Sequence, residues 1–145
     1  SQLAMDFVFD KEKLKELNQV ISLYKKFDRY KDNTREELFY HLLPSFKVSQ
    51  YKTIKEDDKV LAFANWAMLN KRAEDEYLKT GDFANNQWQS GFRVWVIDVV
   101  SQGKGVKIVN WLRNYFKKFM LKGEVVKWMR SDNNYKIYRI GQKEF

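Results

Sequence analysis

The chain has 145 residues, a net charge of +8 from 27 Lys and Arg against 19 Asp and Glu, no cysteine, and one histidine, His41. The missing cysteines exclude disulfides, Cys-ligated zinc and thiol nucleophiles, and a lone histidine excludes a multi-histidine metal centre, so no metal site is expected. One domain with its own core is expected at this length; no apolar run approaches the ~20 residues of a membrane span, and Ser1–Asp6 lacks the basic-then-apolar order of a signal peptide, which points to the cytoplasm.

In chain order, residues 10–27 have helical spacing of Leu14, Leu17, Val20, Ile21 and Tyr24, with Asp10 as N-cap. A second helix is expected over 34–43. Thr34 and Glu37 have the form of a capping box, and Pro44 is expected to stop the helix. Val48–Ile54 and Val60–Trp66 form a hairpin turned by Glu56-Asp57-Asp58. Met68–Leu78 reads as a helix ended by Thr80-Gly81-Asp82, and Gln87–Gly91 as a loop. Phe92–Val100 is apolar on both faces, which predicts a central strand covered on both sides.

Gln102-Gly103-Lys104-Gly105 turns that strand into a helix over 105–121, with Ile108, Leu112, Tyr115 and Phe119 as its buried face and Gly123 as its stop. Two strands, Val125–Met129 and Tyr135–Ile140, close the chain around a Ser131–Asn134 turn. Without repeats or linkers, this order predicts a single α/β domain over residues 1–145: a mixed sheet flanked by helices.

Three features carry chemistry. Gly103-Lys104-Gly105 sits between the central strand and a helix N-terminus, where backbone amides and the helix dipole attract anions; the competing reading is a tight turn that needs glycine. Asp98 lies between Ile97 and Val99, and a carboxylate in such surroundings must be paired or carry a displaced pKa. His41 stands among aromatic residues, where a packed, hydrogen-bonded ring is the commoner role. Lys107, Arg113, Lys117, Lys118 and Lys122 make a basic face suited to an acidic partner. Nucleic-acid binding rests on this charge alone, since no helix-turn-helix, RNP or zinc pattern accompanies it.

Leu43-Pro44-Ser45-Phe46, Gln50-Tyr51 and Ala62-Phe63-Ala64-Asn65-Trp66-Ala67-Met68-Leu69-Asn70, followed by Trp88-Gln89-Ser90-Gly91-Phe92-Arg93-Val94-Trp95-Val96-Ile97-Asp98, resemble in order and spacing the motifs of the RTX toxin-activating lysine acyltransferases. The similarity runs from about residue 19 to about residue 132. It implies a GNAT-like fold and transfer of a fatty acyl chain from acyl carrier protein, or from CoA, to a lysine of a target protein, with no tightly bound cofactor. It also implies that Gly103, Lys104 and Gly105 hold the donor's phosphates, although Val100 stands where the GNAT signature has Arg or Gln. Asp98 matches the family's catalytic aspartate, and Arg130 and Asp132 resemble its late Arg-Val-Asp segment.

The family's catalytic histidine falls, by an ungapped count, on Tyr30, a poor base at neutral pH. His41 lies about three helical turns further on, where the family tends to have asparagine, and is not a simple substitute. Tyr30 and His41 are therefore both candidate catalytic residues beside Asp98. A non-catalytic family member serving as a binding subunit, as a homo-oligomer or in a larger assembly, is the alternative.

Overall fold

The computed structural model describes residues 11–131 and 137–145. Asp10, Asp132 and most of the expected Ser131–Asn134 turn fall outside them. Helix α1 (Lys11–Tyr24) and helix α2 (Arg35–Lys47) precede a hairpin of β1 (Tyr51–Glu56) and β2 (Lys59–Leu69). Helix α3 (Lys71–Thr80) and a 3-10 turn (Asn85–Gln87) lead to β3 (Arg93–Ser101), helix α4 (Gly105–Lys117), β4 (Val125–Ser131) and β5 (Ile137–Glu144). The strands form one five-stranded sheet in the order β1-β2-β3-β4-β5. Every pairing is antiparallel except β3–β4, whose parallel strands are joined through α4. This is the mixed α/β sheet expected from the sequence, with β3 at its centre.

Strand β2 sorts the core by its alternation. Ala62, Ala64 and Trp66 face α4, where they pack with Val94, Val96, Ile108, Leu112 and Phe116. Phe63 faces α1 and α2, joining Leu17, Val20, Tyr24, Leu38, Leu42 and Phe46. Farther along the same face, Ala67 and Leu69 meet Tyr77 of α3 and Trp95. The Trp95 indole donates at 2.8 Å to Glu74, a carboxylate buried under α3.

Several boundaries differ from expectation for physical reasons. The capping box holds: Glu37 N donates to Thr34 Oγ1 at 3.0 Å and Thr34 N donates to Glu37 Oε1 at 2.8 Å. Pro44, however, does not end α2, which continues to Lys47 with Pro44 inside it. The ring removes one amide, and the carbonyl that loses this helical partner belongs to Tyr40, an exposed residue. β1 starts at Tyr51 because Val48 caps α2 and Ser49 turns the chain with φ 55°. Met68 and Leu69 extend β2 rather than opening α3. Asp57 and Asp58, with φ 50° and 64°, make the two-residue hairpin turn.

Phe119, expected on the buried face of α4, is 44% exposed, and the third buried position there is Phe116; Leu14, within the apolar spacing of α1, is 42% exposed. β3 is not sealed on both sides. Phe92, which precedes it, is exposed, and Val99 is 45% exposed.

Candidate active site

The site originates in one extra residue. Asn65 of β2 pairs with Asp98, but Trp66 pairs with Val96, so Ile97 is a bulge in β3. By simple alternation Asp98 would share the α4 face with Val94 and Val96. The bulge turns it to the opposite face, toward α1 and α2. Asn65 is 1% exposed and fills the irregularity: its Oδ1 accepts from Asp98 N at 2.9 Å, and its Nδ2 donates to Ser45 Oγ at 3.1 Å. Ser45 Oγ then donates to Leu42 O at 3.0 Å. The bulge is thereby tied to α2, the helix that carries His41.

Two donors converge on one carboxylate oxygen. Tyr24 OH, from α1, donates to Asp98 Oδ2 at 2.6 Å, and His41 Nε2 lies 2.7 Å from the same oxygen. The Asp98 side chain is 12% exposed and that of His41 is 42% exposed. A carboxylate only accepts, so Nε2 carries the proton and Nδ1 the lone pair when His41 is neutral.

Burial works against the charge of His41, but the hydrogen bond and charge of Asp98 outweigh it and hold the ring above its ordinary value. Burial likewise opposes ionisation of Asp98. The bonds from His41 and Tyr24 prevail, aided by the charges of His41 and Arg29, and its carboxyl is held below the usual range. Burial, followed by the Asp98 charge, pushes the Tyr24 phenol well above its ordinary value, so it stays a neutral donor.

Tyr30 belongs to the same cluster. Its ring centroid is 4.8 Å from that of Tyr24 and 6.1 Å from that of His41. The two positions that the sequence separates by three helical turns are brought together because the chain reverses between α1 and α2. Tyr24, Asn65 and Ser45 were not singled out from the sequence as site residues. The usable signal was Asn65, a polar side chain within the apolar run of β2.

A cleft opens beside this cluster. β3 pairs with β4 only over Val94–Val96, against Val126–Trp128. The rest of β3 diverges from β4, and the space between has a volume of about 890 Å³. Val99, Val109, Leu112, Phe116, Trp128 and Phe145 supply much of its apolar lining, while Arg29 and Arg113 bring positive charge. Asp98 and Tyr30 are in its wall, and His41 adjoins it through its contact with Asp98. Ser101, at the end of β3, also lines the cleft, and its Oγ accepts from Lys104 N at 2.9 Å, so the glycine turn adjoins the cleft.

Gly103 has φ 73° and needs its glycine. The Lys104 ammonium binds Glu56 Oε2 at 2.6 Å, which leaves the backbone of the turn as its means of holding an anion. The basic residues of α4, Lys107, Arg113 and Lys117, are exposed, as is Arg130 of β4. Among the described residues, no group of three His, Asp or Glu could hold a metal ion, and no helix is long and apolar enough to cross a membrane.

The loading GNATL domain of CurA from Lyngbya majuscula has a similar fold, with a TM-score of 0.55 over 83% of this chain and 63% of that one at 15% identity. The RTX-I toxin-activating lysine-acyltransferase ApxIC of Actinobacillus pleuropneumoniae is 28% identical over 72% of this chain and 59% of its own. The protein-lysine myristoyltransferase RtxC of Kingella kingae is 25% identical over 62% and 54%, respectively. The chain thus spans little more than half the length of these relatives. The RTX toxin acyltransferase family model matches residues 10–143, and the chain belongs to that family.

Proposed function

We propose that this chain is a protein-lysine acyltransferase in which the Asp98–His41 pair serves as the base and the cleft between β3 and β4 holds the acyl donor. The observation that carries the reading is the 2.7 Å contact between His41 Nε2 and Asp98 Oδ2 at the cleft's edge. Family membership supports it, as does an apolar cleft of about 890 Å³, within the range of ligand sites. The donor is a fatty acyl thioester on acyl carrier protein, or on CoA, reacting in the cytoplasm; the acceptor is a lysine of an RTX-type toxin. The exposed basic residues of α4 suit an acidic carrier.

A lysine amine is protonated at neutral pH and must lose a proton to become a nucleophile. Approaching from the exposed side of His41, it gives that proton to Nδ1 while Asp98 steadies the resulting imidazolium. The amine nitrogen forms a bond to the thioester carbonyl carbon, and the carbon–sulfur bond breaks. The proton held by His41 passes to the departing sulfur, and the nitrogen releases its second proton to solvent, leaving an amide and a free thiol. The non-catalytic alternative rests on tyrosine at position 30; the contact of His41 with Asp98 supports a base on the neighbouring helix instead.

The test is acyl transfer to a lysine-bearing RTX toxin fragment, followed by mass, with acyl carrier protein and CoA donors side by side. His41→Ala is expected to cost about 10²–10⁴-fold, the usual worth of general-base catalysis. Tyr30→Phe is expected to stay within a few-fold, the ring acting by packing. Transfer that survives His41→Ala and collapses in Tyr30→Phe would move the centre to Tyr30. A folded chain inactive with every donor would return the binding-subunit reading.

A further inference from the structure

Tyr24 has no part in the chemistry proposed above, yet its position is unusual. It is 0% exposed, it closes α1, and its hydroxyl is spent on the one oxygen that also holds His41. A buried tyrosine needs a single partner for its hydroxyl, and a backbone carbonyl would suffice. Here the partner is the carboxylate of the candidate base pair. Its ring is fixed by Tyr30 at 4.8 Å, Phe63 at 5.8 Å and the His41 ring at 6.0 Å, so the hydroxyl cannot swing elsewhere without disturbing the core.

We propose that Tyr24 is a positioning residue: by sharing Oδ2 of Asp98 with His41, it sets how strongly that carboxylate holds the imidazole proton. Two donors on one oxygen compete for its electron density. The phenol draws charge from Oδ2 and leaves less for the Nε2 proton, so it tempers the basicity that Asp98 confers on His41. Without the hydroxyl, Asp98 would hold the imidazolium more tightly, and a larger fraction of His41 would be protonated at neutral pH and useless as a base. The inference rests on His41 being the base for its catalytic meaning, but not for its effect on His41 itself.

The surrounding groups permit a clean reading. Arg29, from the turn after α1, disfavours the imidazolium, and Asp82, after α3, favours it. Tyr77 of α3 is pushed up to about 12 by burial first and then by Asp98. Tyr24 and Tyr30 are the remaining phenols of the cluster, and Tyr24 is held above its ordinary value. Histidine is the side-chain type whose ordinary value lies between about pH 5 and 8, so the titration is followed at His41. It is also the chain's one histidine, so its ring protons report without assignment.

The experiment is an NMR titration of the His41 ring in the wild-type chain, in Tyr24→Phe, in Asp98→Asn and in the double variant. Tyr24→Phe is expected to move the midpoint to higher pH by roughly half a unit or more, as when one of two charge-assisted donors leaves a shared acceptor. In the Asp98→Asn background the same substitution should move it little, because the coupling runs through the carboxylate. An unchanged or lowered midpoint in folded Tyr24→Phe, or an equal displacement with and without Asp98, overturns the proposal.

Should Tyr24→Phe not fold, the wild-type chain decides. The Tyr24 hydroxyl proton must then move downfield or upfield with the same midpoint as the His41 ring, and a hydroxyl signal indifferent to that titration refutes the sharing. Transfer activity is read separately. If the acid limb of the rate profile follows the NMR midpoint, both readings stand. If the midpoint moves and the rate profile does not, His41 is not the base, while the tuning by Tyr24 remains.

Discussion

Asp98→Asn changes one atom pair and tests most of the site. The carboxylate accepts from Tyr24 OH at 2.6 Å and from His41 Nε2 at 2.7 Å, both on Oδ2. A hydrogen bond to a charged group is worth about 1.5–3 kcal/mol against about 0.5–1.5 for a neutral one, so each bond weakens by about 1–1.5 kcal/mol. The His41 ring is 42% exposed, so its share is discounted for solvent; the Tyr24 bond lies at a buried ring and is not. Relief from burying a carboxylate opposes the loss. A net destabilisation of about 1–2 kcal/mol near pH 6 is expected, from urea unfolding.

The chemical effect is larger. If the amide keeps its oxygen at the Oδ2 position, the imidazolium loses its counter-charge. If the amide nitrogen takes that place, it confronts two donors and forces His41 into the wrong tautomer. Either outcome should lower acyl transfer by about 10²–10⁴-fold, the range of general-base catalysis. A folded Asp98→Asn chain that transfers at nearly the wild-type rate would refute the base-pair reasoning, whatever its stability.

Three shorter predictions accompany it. Asp98, with its pKa lowered on folding, contributes stability present above the ordinary carboxylate range and lost as pH falls through its folded value. His41, with its pKa raised, contributes stability present below its ordinary value and lost as pH rises through its folded one. Both operate together between about pH 4 and 6.5, so urea midpoints should plateau there and fall on the alkaline side, a fall that His41→Ala should remove. Gly91→Ala places a Cβ 2.6 Å from Asn70 Cα, Asn70 N and Leu69 O, backbone atoms that cannot yield, and should cost roughly 3 kcal/mol in thermal unfolding. Val109→Trp, at a 43%-exposed position lining the cleft, should leave the melting temperature near wild type. It should cut transfer from long-chain donors about tenfold more than from short-chain ones, about 1.4 kcal/mol of lost acyl-chain binding.

The central strand, the hairpin, the capping box and the strand–glycine turn–helix order are legible because each rests on local pattern. The face on which Asp98 lands is not. Residues 94, 96, 98 and 100 share parity, and only pairing with β2 reveals that Ile97 is the extra residue that reverses it. His41 illustrates a second limit. Counting along the chain assigns the histidine role to Tyr30, whereas the reversal between α1 and α2 brings both rings against Tyr24. Tyr24 itself read as an ordinary core position of α1, which it also is, and nothing in helical spacing tells which buried tyrosine hydroxyl finds a carboxylate. Pro44 shows that a local stop signal gives way when burial of the next turn, with Ser45 and Phe46 both 0% exposed, rewards continuing the helix.

The glycine turn offers a test in which folding and binding point in different directions. Gly103 is unsuited to it, because φ 73° strains any L-residue by about 1–2 kcal/mol and confounds the two effects. Gly105 is suited. It opens α4, its φ is outside the left-handed region, and a Cβ built there meets nothing within 4 Å. Alanine is the better helix former by up to about 1 kcal/mol, so Gly105→Ala should hold or raise the melting temperature. If the turn's backbone cradles the donor's phosphates, side chains at this position intrude on the anion. Affinity for CoA or an acyl-phosphopantetheine donor, followed by calorimetry, should then fall modestly with Gly105→Ala and about tenfold with Gly105→Val. Lys104→Ala should matter less, since that ammonium is engaged by Glu56 at 2.6 Å. Donor affinity unchanged in a folded Gly105→Val chain would leave the turn a connection between β3 and α4, and the phosphates would have to be held by the arginines of the cleft.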